Sequence, residues 1–275
     1  MTPAARHPTR FHSTVVAIIA AVTSAPAAAI ANDLSADEFS ARFEAEAAPY
    51  LWMAGLDGTL RPRPHLPTVQ VTESFDQILG ELTHAFSARF AVRRDAFVAT
   101  ADVFYVATHL PVAPEGPDYV SGSIDHSVVF TTLTAGLRTL ADQRGTLDVF
   151  AGGRAWWFAT DLALTPALPG GDLTDRQHES WVDPIVGVSA RLALAEGFYA
   201  TGYADVGGLP TGDSLTWQFA GALGYRIANC FDISAGYRVL HVEHTDGGVT
   251  RNVTFSGPTV AGILHFCPGS QPQRP

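Results

Sequence analysis

The chain contains no lysine: its Lys+Arg total of 17 is all arginine, set against 27 Asp+Glu, for a formal net charge of −10. Phosphate backbones are bound through basic surfaces, so this balance argues against a nucleic-acid partner. Charged residues are few, 16% of 275, while 47% of the residues are hydrophobic and 10% aromatic. Such a composition folds rather than staying disordered. Long apolar runs are also missing. Past the N-terminus no stretch approaches the roughly 18–20 apolar residues of a membrane-crossing helix, which excludes a helical membrane protein. Cysteine is scarce, with two in the chain.

The N-terminus carries the first positive signal. Arg6 and Arg10 precede an apolar run from Val15 to Val22 and small residues ending in Ala29-Ile30-Ala31. That order predicts a secretory signal peptide over 1–31, cleaved before Asn32. Export brings Cys230 and Cys267 into an oxidising compartment, where a disulfide is permitted. Residues 32–49 read as a periplasmic N-terminal segment. Within them Asp33, Asp37, Glu38, Glu44 and Glu46 accompany Leu34, Phe39 and Phe43, an acidic amphipathic helix candidate over 32–47 that plugs a lumen, binds a partner or serves as a tether.

From 50 to 266 the sequence breaks into ten alternating segments, the period of a strand with two different faces. They span Tyr50–Leu60, Thr83–Arg93, Ala96–Ala107, Ile124–Arg138, Thr146–Thr160, Ser180–Leu192, Phe198–Gly207, Ser214–Ile227, Phe231–His244 and Thr250–Phe266. Soluble strands average about 5–6 residues; tilted strands that cross a bilayer need about 9–11. The alternation puts Leu215, Trp217, Phe219, Leu223, Tyr225 and Ile227 on one face of the eighth segment. Its other face carries Thr216, Gln218, Gly224 and Arg226. The same test assigns Asp57, Arg89, Asp102, Arg138, Asp148, Arg154, Asp183, Arg191, Asp205, Arg226, Asp232 and Arg238 to polar faces. In a membrane barrel these point inward, forming a lumen charge network, and the apolar faces meet lipid.

Connections alternate between tight turns, as at Arg94-Asp95, and long ones over 61–82, 108–123 and 161–179. That asymmetry matches short periplasmic turns and long extracellular loops. The expected fold is therefore all-β: a transmembrane antiparallel up-and-down barrel of about ten strands, with eight as the alternative, a polar charged lumen and a periplasmic tail over 267–275. Tyr50, Trp52, Phe104, Tyr105, Trp156, Trp157, Trp181, Tyr199, Tyr203, Trp217, Tyr225 and Tyr237 are expected near the membrane interfaces. In the first long loop Phe75, Ile78, Leu79 and Leu82 have helical spacing, predicting a short helix over 74–82 whose apolar side caps the barrel mouth.

The runs Trp181-Val182-Asp183-Pro184-Ile185-Val186-Gly187, Asp205-Val206-Gly207-Gly208, Leu215-Thr216-Trp217-Gln218, Gly224-Tyr225-Arg226, Gly236-Tyr237-Arg238 and Ser256-Gly257-Pro258 follow one another along successive strands. In that order, and over most of 49–266, the chain resembles an uncharacterised family of proteobacterial outer-membrane β-barrel proteins, small OmpA-like and OmpX-like barrels by architecture. The stretch Leu209-Pro210-Thr211-Gly212-Asp213 departs from the glycine-rich turn expected there. The resemblance implies a location and a barrel, and no activity.

Cys230 opens the ninth segment and Cys267 follows the tenth. If they face each other, the constant index sum of an antiparallel pair centres the turn between Gly248 and Val249, next to Asp246-Gly247-Gly248. This predicts a disulfide at the periplasmic rim. The histidines show no metal spacing: His241 and His244 fall on opposite strand faces, and His84, His109, His126, His178 and His265 lack Cys, His or Glu partners at ligand intervals. Asp125-His126-Ser127 and His178-Glu179-Ser180 hold hydrolase-type groups, but strand neighbours alternate faces and are not preassembled. No cofactor and no enzyme activity is expected.

A ten-stranded barrel has little spare interior, so paired charges are its natural filling. The reading is a Gram-negative cell outer-membrane barrel with a mostly filled lumen and a structural or surface-interaction role. Its partners are outer-membrane lipid, lipopolysaccharide bridged by divalent ions, and the barrel assembly machinery. A narrow, porin-like channel for small solutes and a membrane-embedded lipid-modifying enzyme are the alternatives.

Overall fold

Period-two alternation dictates strands whose two faces meet different surroundings, and strands dominate the computed structural model, which describes residues 43–61, 67–112, 119–167, 173–208 and 213–266. They are β1 (Phe43–Trp52), β2 (Gly55–Arg61), β3 (Val69–Glu73), β4 (Leu82–Arg94), β5 (Phe97–Val112), β6 (Tyr119–Ala141), β7 (Gly145–Pro166), β8 (Leu173–Ala195), β9 (Phe198–Gly207), β10 (Ser214–Ala228), β11 (Phe231–Asp246) and β12 (Val249–His265). Helix α1 (Phe75–Glu81) lies between β3 and β4. Each strand from β4 to β12 pairs antiparallel with the next, and β1 closes the sheet by pairing with both β4 and β12. Since β2 continues β1 along β12, and β3 pairs with β2 on the side where β4 pairs with β1, the twelve strands make a closed barrel of ten staves.

Outward-facing positions form a charge-free apolar belt. It includes Leu51, Phe86, Phe90, Val92, Leu137, Val149, Val182, Val186, Val188, Leu192, Phe219, Leu223, Ile233, Val260 and Leu264, all exposed. Arg154, Asp183, Asp205, Asp232 and Arg238 are buried on the opposite faces. This is the inverted order of a membrane barrel: polar inside, apolar toward lipid. On β6 the belt runs from Leu137 to Val129; beyond it Ser127 and Asp125 occupy the same face, so the strand has left the apolar band.

The barrel is taller than the ten segments foretold. The stretches expected as loops over 108–123 and 161–179 are largely strand, giving β6, β7 and β8 lengths of 23, 22 and 23 residues. Strand pairing with β9 stops at Ile185↔Gly207, so Leu173–Pro184 runs roughly 40 Å further at about 3.3 Å per residue. The acids and polar residues there pair across strands, as in His109–Asp125 at 2.7 Å, instead of marking turns.

Other boundaries also move. β1 begins at Phe43, not Tyr50, because Glu44 and Glu46 continue the inward series of Ala48, Tyr50 and Trp52. Glu46 accepts two hydrogen bonds from the Arg93 guanidinium, at 3.0 and 3.1 Å. The acidic-helix expectation therefore fails over 43–47. Its remainder over 32–42, the signal peptide and the tail over 267–275 lie outside the described residues. Helix α1 forms where its spacing placed it, with Ser74 as N-cap in a capping box with Gln77. None of its residues is buried and Leu79 is 51% exposed, so it does not cap the mouth.

The last hairpin corrects the cysteine register. Asp246↔Val249 closes a two-residue turn at Gly247 and Gly248, whose φ angles of 54° and 83° suit glycine. The register then sets His265, not Cys267, beside Cys230, and the His265 N–H donates to the Cys230 carbonyl at 2.9 Å. Cys230 is disulfide-bonded; Cys267 lies outside the described residues.

Candidate functional site

The inward faces divide the lumen into two regions. Toward the tight turns the inward residues are mostly charged, hydroxylated or small and leave a cavity of about 690 Å³. Glu44, Asn229 and Arg226 line it toward the tight turns, the end expected to face the periplasm, and Tyr50, Asp102, Gln218 and Arg238 line it toward the middle of the barrel. Toward the long strands the inward residues become large and apolar: Trp52, Phe104, Phe130, Trp156, Phe158, Leu240, Val242, Val253 and Phe255 pack as one buried cluster.

Between the two lies a girdle of ion pairs. Arg154 and Asp205 have fully buried side chains, with Nη2 at 2.6 Å from Oδ2 and Nη1 at 3.1 Å from Oδ1. The guanidinium also donates to Thr216 at 2.9 Å, Thr132 at 3.1 Å and Gln218 at 3.4 Å. A buried ion pair is tolerable only when its remaining donors are satisfied in this way. Arg238 approaches Asp102 at 2.9 Å and donates to Gln218 at 2.7 Å and to the Tyr50 hydroxyl at 2.9 Å; that hydroxyl donates to Asp102 at 2.8 Å.

Above the girdle, inward rings on neighbouring strands touch one another around the wall. Trp52 meets Phe104 at 5.3 Å, Phe104 meets Phe130 at 5.0 Å, Phe130 meets Trp156 at 5.1 Å, and Trp156 meets Trp181 at 5.8 Å. Each such contact adds about 0.5–1.5 kcal/mol beyond area burial. Phe130 and Trp156 are 1% and 0% exposed, so the rings at this level are fully packed. Alternation alone could not separate these rings from interfacial ones. Tyr50, Trp52, Phe104, Trp156, Trp181, Tyr199 and Tyr203 face inward, whereas Tyr105, Trp157, Trp217, Tyr225 and Tyr237 lie on the outward faces.

Of the twelve charges assigned to the lumen, the structure brings together Arg138 with Asp148 at 2.9 Å, Arg154 with Asp205, Arg238 with Asp102, and Arg191 and Arg226 with Asp232 at 3.2 and 2.9 Å. Asp183 accepts from neutral donors: Ser214 at 2.6 Å, Trp156 at 2.9 Å and Trp181 at 3.1 Å. Arg89 lines the periplasmic cavity. Asp57 does not join them. It sits on the outward face of β2, exposed, and accepts from Thr72 of β3 at 2.8 Å, because a strand that has left the bilayer carries polar residues on both faces.

At the outer mouth Arg251 donates to Glu179 at 2.7 Å, His126 bonds Thr160 at 2.9 Å, and His244 stacks on Trp181 at 3.9 Å. Ser214 stands opposite His244 in the β10–β11 register, yet its hydroxyl is given to Asp183. His126 lies beyond the apolar belt. Burial, reinforced by the Arg251 guanidinium, pushes its imidazole down to about 4. In the first His-containing triplet, His126 is bonded to Thr160. No group of three or more His, Cys, Asp or Glu able to hold a metal occurs among the described residues.

No protein-family model and no curated protein sequence matches the chain. Among solved structures it is similar to the outer membrane protease OmpT from Escherichia coli, at 9% identity and a TM-score of 0.51, covering 82% of this chain and 97% of that one. It is also similar to the translocator domain of autotransporter NalP from Neisseria meningitidis, at 12% identity and a TM-score of 0.37, covering 91% and 97%. A third is Ail, the attachment invasion locus protein of Yersinia pestis, at 10% identity and a TM-score of 0.30, covering 82% and 99%. With its closed ten-stave sheet, apolar belt and charged interior, the chain has the fold of the bacterial outer-membrane β-barrels.

Proposed function

We propose that this protein is a non-conducting outer-membrane barrel that acts at the cell surface through the tall β5–β8 wall. The observation that carries the reading is the packed ring cluster: Trp156, Leu240 and Val242 are 0% exposed and Phe130 1%, and all four belong to one buried apolar cluster in the lumen. A channel needs a continuous polar lumen, and here the polar cavity ends blind against the girdle and the rings. What reaches outward is the upper wall. Its outward face carries the exposed pairs His109–Asp125 and Arg176–Asp161. Beyond Ile185, β8 has no pairing on its β9 side among the described residues; an open sheet edge is a site to which an extended peptide adds as a further strand.

Export through a cleaved leader, insertion by the barrel assembly machinery and contact with lipopolysaccharide through divalent ions belong to this reading. The solved barrels to which the fold is similar include an outer membrane protease. The hydrolase reading is the weaker one, because the Ser214 hydroxyl is directed to a carboxylate held by two indoles instead of to a histidine. Planar-bilayer recordings of the purified, refolded protein test the proposal. A silent baseline with rare, brief steps is expected, and a steady open conductance refutes it.

A further inference from the structure

The periplasmic cavity has a charge imbalance that the girdle above it lacks. Its lining includes Arg89, Arg93, Arg138, Arg191, Arg226 and Arg238. Five of these have a carboxylate oxygen within 4.0 Å: Arg93 has Glu46, Arg138 has Asp148, Arg191 and Arg226 share Asp232, and Arg238 has Asp102. Arg89 has none among the described residues. Its cross-strand neighbour is Asp102, but both oxygens of that carboxylate are engaged, one by Tyr50 and the other by Arg238. Arg89 lies over the face of Tyr203, at 5.6 Å from the ring centre, and its charge acts on Glu46 from beyond ion-pair distance. In a protein of net charge −10, the inner end of this cavity thus holds a guanidinium with no carboxylate at ion-pair distance among the described residues, which favours an anion there.

The rest of the lining narrows the chemistry. Thr100, Ser189, Thr201, Ser234 and Thr259 face the same space, and hydroxyls both donate to and accept from a hydroxylated ligand. A volume of about 690 Å³ lies within the roughly 300–1,000 Å³ of small-molecule sites. We propose that the periplasmic cavity binds a small polyhydroxylated molecule bearing one oxyanion, a carboxylate or a phosphate, with Arg89 as the anchoring cation. Such a ligand enters from the periplasm and leaves by the same mouth. The site goes beyond the surface role proposed above and does not depend on it.

Equilibrium dialysis of the full-length, refolded barrel against radiolabelled gluconate, glucose 6-phosphate and glucose tests the site. Saturable binding of one gluconate or one glucose 6-phosphate per barrel is expected, and the tighter of the two identifies the oxyanion. Neutral glucose is expected to bind at least tenfold more weakly. Arg89→Gln should weaken the anion at least tenfold, while Arg251→Gln, at the outer mouth, should change it less than twofold. Arg89→Lys keeps the charge and loses the planar fork; an intermediate loss is expected, and this variant decides the matter if Arg89→Gln does not fold. Absence of saturable binding of either anion, glucose binding as tightly as the anions, or binding unchanged in the Arg89 variants would overturn the proposal.

Discussion

The two halves of the lumen solve one problem in opposite ways. Toward the periplasm the staves fill their interior with arginine–carboxylate pairs and leave about 690 Å³ of space. Toward the outside they fill it with rings and aliphatic side chains until Trp156 and Leu240 have no exposed surface. The paired half matches its arginines with carboxylates, Arg89 excepted, and leaves open space between them. The packed half needs only volume and excludes water. The proposed seal rests on the packed half, and the proposed ligand site on the open, charged half.

The girdle where the halves meet is the most vulnerable point. Asp205→Ala strands the fully buried Arg154 guanidinium and is expected to cost about 3–5 kcal/mol, read as a lowered denaturant midpoint of the refolded barrel in lipid vesicles. Trp156→Ala attacks the packed half. A vacated buried indole costs about 3–5 kcal/mol, and this variant, unlike Asp205→Ala, should also raise the frequency of conductance steps. If both variants leak equally, the rings are not the seal.

The outer mouth gives a pH signature. His126 has its folded-state value depressed to about 4 from an ordinary 6.5, so the unfolded chain takes up this proton first. The contribution of His126 to stability is full above about pH 6.5 and is lost as pH falls toward about 4, by about 3 kcal/mol in all. Unfolding midpoints measured across that interval should fall more steeply in the wild type than in His126→Gln. The smallest expected effect lies on the upper wall: Arg176 and Asp161 are 3.8 Å apart with side chains 72% and 47% exposed, so Asp161→Asn should shift stability by no more than about 0.5 kcal/mol.

The same contrast explains what was legible in the sequence. Ten staves, their facing and most inward charges follow from period-two alternation, because lipid imposes a strict apolar rule on one face wherever a strand crosses it. Away from lipid the rule lapses. Asp57 alternates like a lumen residue but lies on the outward face of β2, and the strand over 173–179 reads as a loop because polar residues occupy both of its faces. The ring stack was hidden for a related reason: Trp52 and Trp156 are compatible with an interfacial position as well as with the axis, and only closure of the sheet chooses. Arg89 stood out in the sequence as one charge among twelve; its missing carboxylate required Asp102 to be seen in the grasp of Arg238.

Sided labelling tests the divided lumen most directly. Ser234 lines the periplasmic cavity and Leu240 lies in the packed cluster on the same face of β11. In vesicles of known orientation, Ser234→Cys should react with a membrane-impermeant maleimide added on the periplasmic side and not from the outer side, while Leu240→Cys should react from neither. Labelling of Ser234→Cys from the outer side at a rate comparable with the periplasmic one would contradict the sealed, two-part interior.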